Sequence, residues 1–347
     1  MTDQIVARKK RNRTTLYVLL SALLVVVLAA VAALIYLGSL SRSFDSQTKK
    51  LPAVFPSESV RPQASAPAAD GKTAMNILLV GSDSRAATIT QAESGTPSDQ
   101  RSDTMLLVHI PADRKNVYLI SIMRDLWVPI PGYGSAKINA ALAFGGVPLM
   151  VQTVESVLGQ RLDHVVFMDM EGFKSVTDAV GGVTVNVPKT FDARQTSNYH
   201  FDAGTQTLNG DQALAFVRER YAFPDGDYQR VRDQQIFIKA LVAKLATPQT
   251  LANPVTLANV VNQFSPYLAV DSGFNSGAVV SLGLELTGVK PSDIVSFTVP
   301  TNGTGWSPDG QQSIVIFNQP ATSALADAMA KGTMSKYVAD NKLQNGN

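Results

Sequence analysis

The chain has 347 residues, 45% of them hydrophobic and 17% charged, and 30 Lys and Arg against 28 Asp and Glu leave a formal net charge of +2. That balance excludes whole-chain disorder and argues against bulk nucleic-acid binding, which needs a strongly basic face. There is no cysteine, and the only histidines are His109, His164 and His200. Thiolate chemistry, disulfides and Cys-type zinc or iron–sulfur sites are therefore excluded, and any metal is held mainly by oxygen, as Mg²⁺ is.

Leu16–Leu37 carries no charge and no proline. As a helix it would cover about 33 Å, enough for a bilayer core of about 30 Å. A cleaved signal peptide has a shorter apolar region, roughly 7–15 residues, so residues 16–38 read as an uncleaved transmembrane anchor. Arg8, Lys9, Lys10, Arg11 and Arg13 precede it and only Arg42 follows closely. The positive-inside asymmetry places residues 1–15 in the cytoplasm and the rest of the chain outside. Residues 39–72 are rich in Ser, Pro and Ala, and Pro52, Pro56, Pro62 and Pro67 disfavour a helical stalk. They read as a flexible tether, followed by a single body over 73–333 and a tail over 334–347.

Within the body, Met75–Val80, Thr104–Ile110 and Val117–Met123 are apolar runs typical of buried strands. Pro111-Ala112-Asp113-Arg114-Lys115 predicts a hairpin between the second and third. A Pro-rich loop is expected at Val128–Gly132, then helical patterns at Ile138–Phe144 and Pro148–Leu158. His164–Met170 reads as a strand, Glu171–Val180 as a helix ended by Gly181-Gly182, and Val183–Val187 as a strand. A short helical turn over Gln212–Val217 follows Asn209-Gly210. Asp227–Leu245 is the longest helix, with Val231, Ile238, Leu241, Val242 and Leu245 as its buried stripe. Helices follow at Pro254–Gln263, Gly277–Leu286 and Ala321–Ala330, and strands at Ile294–Val299 and Ser313–Phe317. Asn302-Gly303 reads as a turn. The order predicts an α/β fold with a mixed, partly antiparallel central sheet and helices on both faces, preceded by one transmembrane helix.

Polar residues gather where these strands end. Gly81-Ser82-Asp83-Ser84-Arg85 follows the first strand, Arg101-Ser102-Asp103 precedes the second and Arg124-Asp125 follows the third. If the second strand runs antiparallel to the others, Asp83, Asp103, Arg124 and Asp125 share one sheet edge. This is either a structural ion-pair cluster or a divalent cation on Asp83 and Asp103 facing a phosphate-bearing substrate. Arg218-Glu219-Arg220 adds two arginines, and Asp227, Arg230 and Gln234 share one helix face. Several guanidinium groups suit a pyrophosphate, because their planar fork matches its oxygens in pairs. Nucleotide-binding and serine-hydrolase motifs are missing, and His109, inside an apolar strand, reads as a core residue.

The series Gly81-Ser82-Asp83-Ser84-Arg85, Arg101-Ser102-Asp103-Thr104-Met105, Ser121-Ile122-Met123-Arg124-Asp125 and Lys137-Ile138-Asn139-Ala140-Ala141 resembles the LytR-CpsA-Psr family. Gly181-Gly182-Val183, Leu208–Leu214, Val217-Arg218-Glu219-Arg220, Asp227-Tyr228-Gln229-Arg230 and Gln234-Gln235 continue the likeness in order, over about residues 75–245. The resemblance implies a phosphotransferase of the bacterial cell membrane that moves a glycopolymer from a polyprenyl-pyrophosphate carrier onto peptidoglycan with Mg²⁺ (or Mn²⁺). Carried over by position, Asp83 and Asp103 are the metal ligands. Arg85, Arg101, Arg124, Arg218, Arg220, Arg230 and Gln234 are the pyrophosphate binders, with Asp125 and Asp227 beside them. Arg124 and Asp125 are the implied catalytic residues. Two features depart from the family: a long spacer over Ala86–Gln100, and Asp233 at a position often basic, with Arg232 as a possible substitute.

The expected partners are a lipid-linked glycopolymer donor, a peptidoglycan acceptor and the membrane, with no nucleic acid. The polyprenyl chain needs an apolar tunnel, for which the segments Leu142–Val157 and Phe173–Val180 are candidates, although both equally describe ordinary core. Two rivals stand beside transfer: a pyrophosphatase using water as acceptor, and a non-enzymatic module that binds envelope polymers.

Overall fold

The computed structural model describes residues 35–82, 104–194, 198–245 and 253–344, together with 32, 247 and 250. Residues 35–47 are helical (α1). Strand β1 (Lys49–Leu51) follows, then β2 (Met75–Ser82), β3 (Thr104–Ile110) and β4 (Val117–Ile122). A hairpin of β5 (Leu126–Ile130) and β6 (Gly134–Lys137) leads to α2 (Ala140–Leu158), β7 (His164–Asp169), α3 (Met170–Ala179) and β8 (Val183–Val187). Next come β9 (Phe191–Asp192), β10 (His200–Phe201), β11 (Gly204–Leu208), α4 (Gly210–Arg218), α5 (Asp227–Leu245) and α6 (Pro254–Phe264). The last described elements are β12 (Leu268–Asp271), α7 (Ser276–Glu285), β13 (Ile294–Thr298), β14 (Thr301–Trp306), β15 (Ser313–Phe317), α8 (Gln319–Ala330) and α9 (Met334–Asp340).

Among the described residues, seven strands form the central sheet in the order β1-β12-β7-β2-β3-β4-β13. β3 runs antiparallel to both β2 and β4, as expected, while β7 joins β2 in parallel. The continuous apolar runs of β2, β3 and β4 have a simple cause: both faces of this sheet are covered. Leu78, Leu107 and Ile120 belong to the core on one face, with Val147, Met150 and Val151 of α2. Ile77, Leu106 and Leu119 belong to the other, where Ile238 of α5, Phe264 of α6 and Leu282 of α7 pack. The mixed α/β architecture is therefore as expected. A smaller sheet of order β14-β15-β5-β6 adjoins it.

Several local expectations change. The segment read as a flexible tether is laid down on the body. β1 pairs in parallel with β12, and Leu51 and Val54 are buried in the core. Arg61 forms a buried bidentate pair with Glu155, its Nη2 2.6 Å from Oε1. Removing one partner of such a pair costs about 3–5 kcal/mol, so this attachment is firm. The prolines exclude helix without excluding contact. The C-terminal tail likewise holds α9, with Met334 and Val338 buried one turn apart.

The expected Pro-rich loop is strand β5. Pro129 lies opposite Ser135 of β6, beyond the residues that pair with β15, so its missing N–H breaks no ladder bond there. Asn302-Gly303 sits inside β14 at a register shift, where Gly303 at φ 82° forms a bulge instead of a reversing turn. The two helical patterns before residue 158 merge into α2 across a kink at Gly145 and Gly146. α2 is the one described helix long and apolar enough to cross a membrane, and it is a core helix. His109 is buried as expected, with Nδ1 2.8 Å from Asn76 Oδ1, and burial lowers its pKa to about 4. Residues 16–31, most of the expected anchor, lie outside the described residues.

Candidate functional site

The strand register brings the C-terminal ends of β2 and β4 and the start of β3 to one sheet edge, with Gly81 opposite Thr104 and Met105 opposite Ile122. Arg124 and Asp125 leave β4 at that edge. Asp83, Arg85, Arg101 and Asp103 lie outside the described residues, which stop at Ser82 and resume at Thr104.

The N-terminal turns of α5 come down on the same edge. Gln235 ties them there, donating to Ser121 Oγ of β4 at 2.9 Å and to Thr298 Oγ1 of β13 at 3.3 Å. This places Asp227 among three guanidinium groups. Its carboxylate lies 3.1 Å from Arg230 Nη1, 3.7 Å from Arg220 Nη1 and 3.9 Å from Arg124 Nη2. Asp125 lies 3.8 Å from Arg124 Nε and 3.2 Å from Lys137 Nζ on β6. The side chains of Arg124, Asp125, Asp227, Arg220 and Lys137 remain 20–28% exposed, whereas Arg230 is buried at 8%. The cluster is half-buried, so its charges act with less screening than surface pairs and still reach a ligand.

α4 supplies the other arginines. Its start is fixed by a reciprocal capping box between Asn209 and Gln212. Its end delivers Arg218, whose Nη1 lies 3.0 Å from the thioether of Met170. The turn beyond is organised by Glu219, which is fully buried. Its Oε1 accepts the backbone N–H groups of Arg220, Tyr221 and Ala222 at 2.9, 2.6 and 3.0 Å, and its Oε2 accepts that of Arg194. Arg220 thus emerges from a backbone held by a carboxylate, and its guanidinium stacks 4.6 Å from the Tyr221 ring centroid. Gln234 donates to the Val217 carbonyl at 3.2 Å, joining α5 to the end of α4.

Two cavities meet here. A narrow niche is lined by the polar side chains of Ser121, Arg124, Asp125, Asp227, Arg230 and Gln234 together with Met105, Ile122, Met123 and Val231. An apolar cavity of about 260 Å³ extends from it between the central sheet, α3, α4 and α5. Thr104, Arg124, Arg230 and Gln234 line both. Arg218 lines the apolar one, as do Phe173 and Val176 of α3 and Ile238, Leu241, Val242 and Leu245 of α5. The α5 stripe expected to be core is therefore mostly cavity wall, and Val242 is 36% exposed. Of the two segments named as tunnel candidates, the α3 segment borders the cavity, while α2 is core.

The sequence-predicted residues Arg124, Asp125, Arg218, Arg220, Asp227, Arg230 and Gln234 are thus brought together. Lys137 and Glu219 were motif members without a role; only the fold shows that one holds Asp125 and the other the arginine turn. Asp169, whose backbone pairs with Ser82, also borders the apolar cavity, but its carboxylate caps α3 through Gly172 N–H at 2.8 Å. Asp233 is fully buried, its Oδ1 2.9 Å from Gln229 Nε2 and its Oδ2 without a hydrogen-bond partner among the described residues. Burial pushes its carboxyl up to about 7, with Gln229 and Arg232 pulling the other way. Arg232, the substitute offered for that position, lines neither cavity. Its guanidinium is engaged by Asp225 and by Gln229 Oε1.

A mixed sheet with an arginine-lined niche opening into an apolar cavity defines a recognisable class. The chain belongs to the LytR-CpsA-Psr family: the LytR_cpsA_psr family model matches residues 35–331. It is 33% identical over 214 residues to the polyisoprenyl-teichoic acid–peptidoglycan teichoic acid transferase TagU of Enterococcus faecalis, covering 61% of this chain and 66% of that protein. The probable cell wall biosynthesis protein LcpB of Corynebacterium glutamicum is 34% identical over 259 residues, 73% and 60% of the two chains. The chain spans about half to two-thirds of the length of such relatives. Among solved structures, Bacillus subtilis TagV superposes with a TM-score of 0.63 at 24% identity over 76% of this chain and 98% of that one, a likeness of fold. TagT bound to LI-WTA superposes with a TM-score of 0.59 at 26% identity over 78% and 96%.

Proposed function

We propose that this protein is a membrane-anchored phosphotransferase that moves a glycopolymer from a polyprenyl-pyrophosphate carrier onto a sugar hydroxyl of peptidoglycan, outside the bacterial cell membrane. One observation carries the reading: Thr104, Arg124, Arg230 and Gln234 line both the polar niche and the apolar cavity. A ligand that fills both has an anionic head and a long apolar tail in one molecule. The TagU relatives, named for a polyisoprenyl-linked donor and a peptidoglycan acceptor, point the same way.

In this reading Arg124, Arg218, Arg220 and Arg230 grip the diphosphate, with Arg85 and Arg101 from the segment between β2 and β3 and with Gln234. Each charge-assisted hydrogen bond contributes about 1.5–3 kcal/mol net, so a few of them dominate head-group binding. Asp227 holds three of the guanidinium groups in place before the ligand arrives, which limits reorganisation during the reaction. The acceptor hydroxyl oxygen attacks the phosphorus nearer the glycan. The bond from that phosphorus to the bridging oxygen breaks, and polyprenyl monophosphate leaves with the electron pair. The hydroxyl proton passes to a carboxylate, Asp125 or Asp83. Positioning and electrostatics supply the acceleration, as is general for phosphoryl transfer.

Asp83 and Asp103 are the residues that would hold Mg²⁺. Their carboxylates are the hard oxygen donors this ion prefers, and in sequence they adjoin the last residue of β2 and the first of β3. No group of three metal-ligating side chains occurs among the described residues, and Asp125 and Asp227 are engaged by cations. When bound, the ion would neutralise charge on the diphosphate oxygens.

The test is a purified system with a lipid-pyrophosphate-linked glycan, peptidoglycan fragments and Mg²⁺. Glycan joined to peptidoglycan is the expected product, and Arg124→Ala abolishes it. Release of free glycan phosphate without joining would point to hydrolysis instead, and donor binding without turnover to a polymer-binding module.

A further inference from the structure

The first described helix fixes where the apolar run Leu16–Leu37 meets the body. Tyr36 in α1 donates its hydroxyl to the Pro254 carbonyl at the start of α6, at 2.5 Å. Two turns on, Ser43 and Gln47 both donate to Asn262 Oδ1 near the end of α6. The two helices therefore lie side by side and run in the same direction. Asp45 continues the attachment by accepting from Ser276 N at 2.9 Å. The chain thus reaches the body as a docked helix.

The same contacts orient the cavity. The end of α5 is linked to the start of α6 through Thr250, whose hydroxyl donates to the Lys244 carbonyl at 2.9 Å and whose carbonyl accepts from Asn253 N at 3.3 Å. The apolar cavity runs along α5 from Arg230 and Gln234 to Val242 and Leu245. From Arg230 to Leu245 the helix rises about 22 Å. The charged site and the point where the apolar run enters are thus at opposite ends of one trough. At the entry end Ile35, Leu37 and Val255 are 69%, 51% and 67% exposed. Isolated apolar residues on a surface are ordinary, but these three flank the Tyr36–Pro254 bond.

We propose that the body rests on the bilayer through this end, with Ile35, Leu37 and Val255 in the interface and the Val242–Leu245 end of the cavity facing the lipid. The carrier's chain then enters the cavity from the leaflet, and the arginine cluster stands about 22 Å above the entry. The inference rests on the reading that the chain is membrane-anchored and uses a membrane lipid, and it adds a fixed orientation where the sequence alone suggested a swinging body.

Because the chain has no cysteine, single-cysteine labels can be placed at will. Full-length Val255→Cys and Tyr221→Cys proteins, each carrying an environment-sensitive dye, are reconstituted into phosphatidylglycerol–phosphatidylethanolamine vesicles with nitroxide-labelled acyl chains. Tyr221 is exposed and adjoins the arginine cluster at the far end of α5. The nitroxide is expected to quench the dye at 255 and leave that at 221 bright. No quenching at 255, or equal quenching at both, overturns the orientation. Transfer by the unlabelled parent protein on vesicles of the same composition is a separate readout: quenching without transfer removes the enzymatic reading and leaves the surface standing, and transfer without quenching does the reverse. Protein that fails to float with vesicles overturns the surface and the anchor together.

Discussion

Asp227 and Asp233 stand six residues apart on α5, and the same side chain does opposite things at the two positions. Asp227, at the helix start, lies among Arg124, Arg220 and Arg230 and stays 23% exposed. Asp233 is sealed from solvent with one hydrogen bond, from Gln229, and its carboxyl is pushed up to about 7. One carboxylate stands among three guanidinium groups; the other is tolerated by the fold at a cost. The helix periodicity explains why they part: at 3.6 residues per turn, six residues leave them roughly 120° apart around the axis, so they occupy different faces. Function at this site is set by what surrounds a carboxylate, not by its presence in a motif.

The largest effect expected from breaking this contrast is at Asp227. Asp227→Asn removes the carboxylate that three guanidinium groups share and so raises their mutual repulsion. Transfer should fall by about 10²–10³ in kcat/KM, comparable with loss of one preorganised electrostatic partner. Thermal stability should fall only modestly, because Asp227, Arg124 and Arg220 keep 21–28% of their side-chain surface in water, although Arg230 is buried. A loss of fold with equal loss of activity would show that Asp227 serves the structure instead.

Asp233 should respond in the opposite sense. Its carboxyl titrates near 7 in the folded chain and near 3.8 when unfolded. Between those values the folded state holds a proton that the unfolded state has lost, so stability falls as pH rises from about 4 to about 7. Asp233→Asn keeps the Gln229 hydrogen bond and cannot ionise. The variant should be more stable than the parent at pH 8, by a margin on the order of 4 kcal/mol, and nearly equal to it below pH 4. Denaturant titrations at both pH values measure this. A parallel pH dependence in both proteins would mean that Asp233 is ionised throughout.

The sequence made part of this visible. The apolar runs fixed β3, β8, β15 and α5 to the residue because hydrophobic pattern and breakers act locally. That Arg124 and Asp125 leave β4 at the edge where β3 begins followed from the antiparallel order of β2, β3 and β4 alone. The strands β1 and β12 escaped because three or four residues carry little pattern, and β14 escaped because Gly303 and Gly305 break its alternation. The cavity was illegible for a different reason. Ile238, Leu241 and Leu245 show the same spacing whether they face neighbouring atoms or a space, since periodicity reports which face is apolar and not what fills it. Lys137 and Glu219 were equally hidden, because their partners, Asp125 and a backbone turn, are defined only by the folded chain.

Glu219 offers the smallest and finest test, since it shares burial with Asp233 and lacks its deficit of partners. One oxygen accepts three backbone N–H groups and the other accepts from Arg194. In Glu219→Gln the carbonyl oxygen can keep the three bonds that shape the turn before Arg220, while the new amide N–H₂ faces the Arg194 N–H, donor against donor. The loss is therefore one hydrogen bond plus a misplaced donor, about 1–2 kcal/mol of stability with activity largely kept. Glu219→Ala strips both acceptor oxygens and with them all four hydrogen bonds, and both stability and transfer should fall. If Gln proved as damaging to transfer as Ala with the fold intact, the negative charge itself, and not the hydrogen-bonded turn, would be what the arginine cluster requires of this residue.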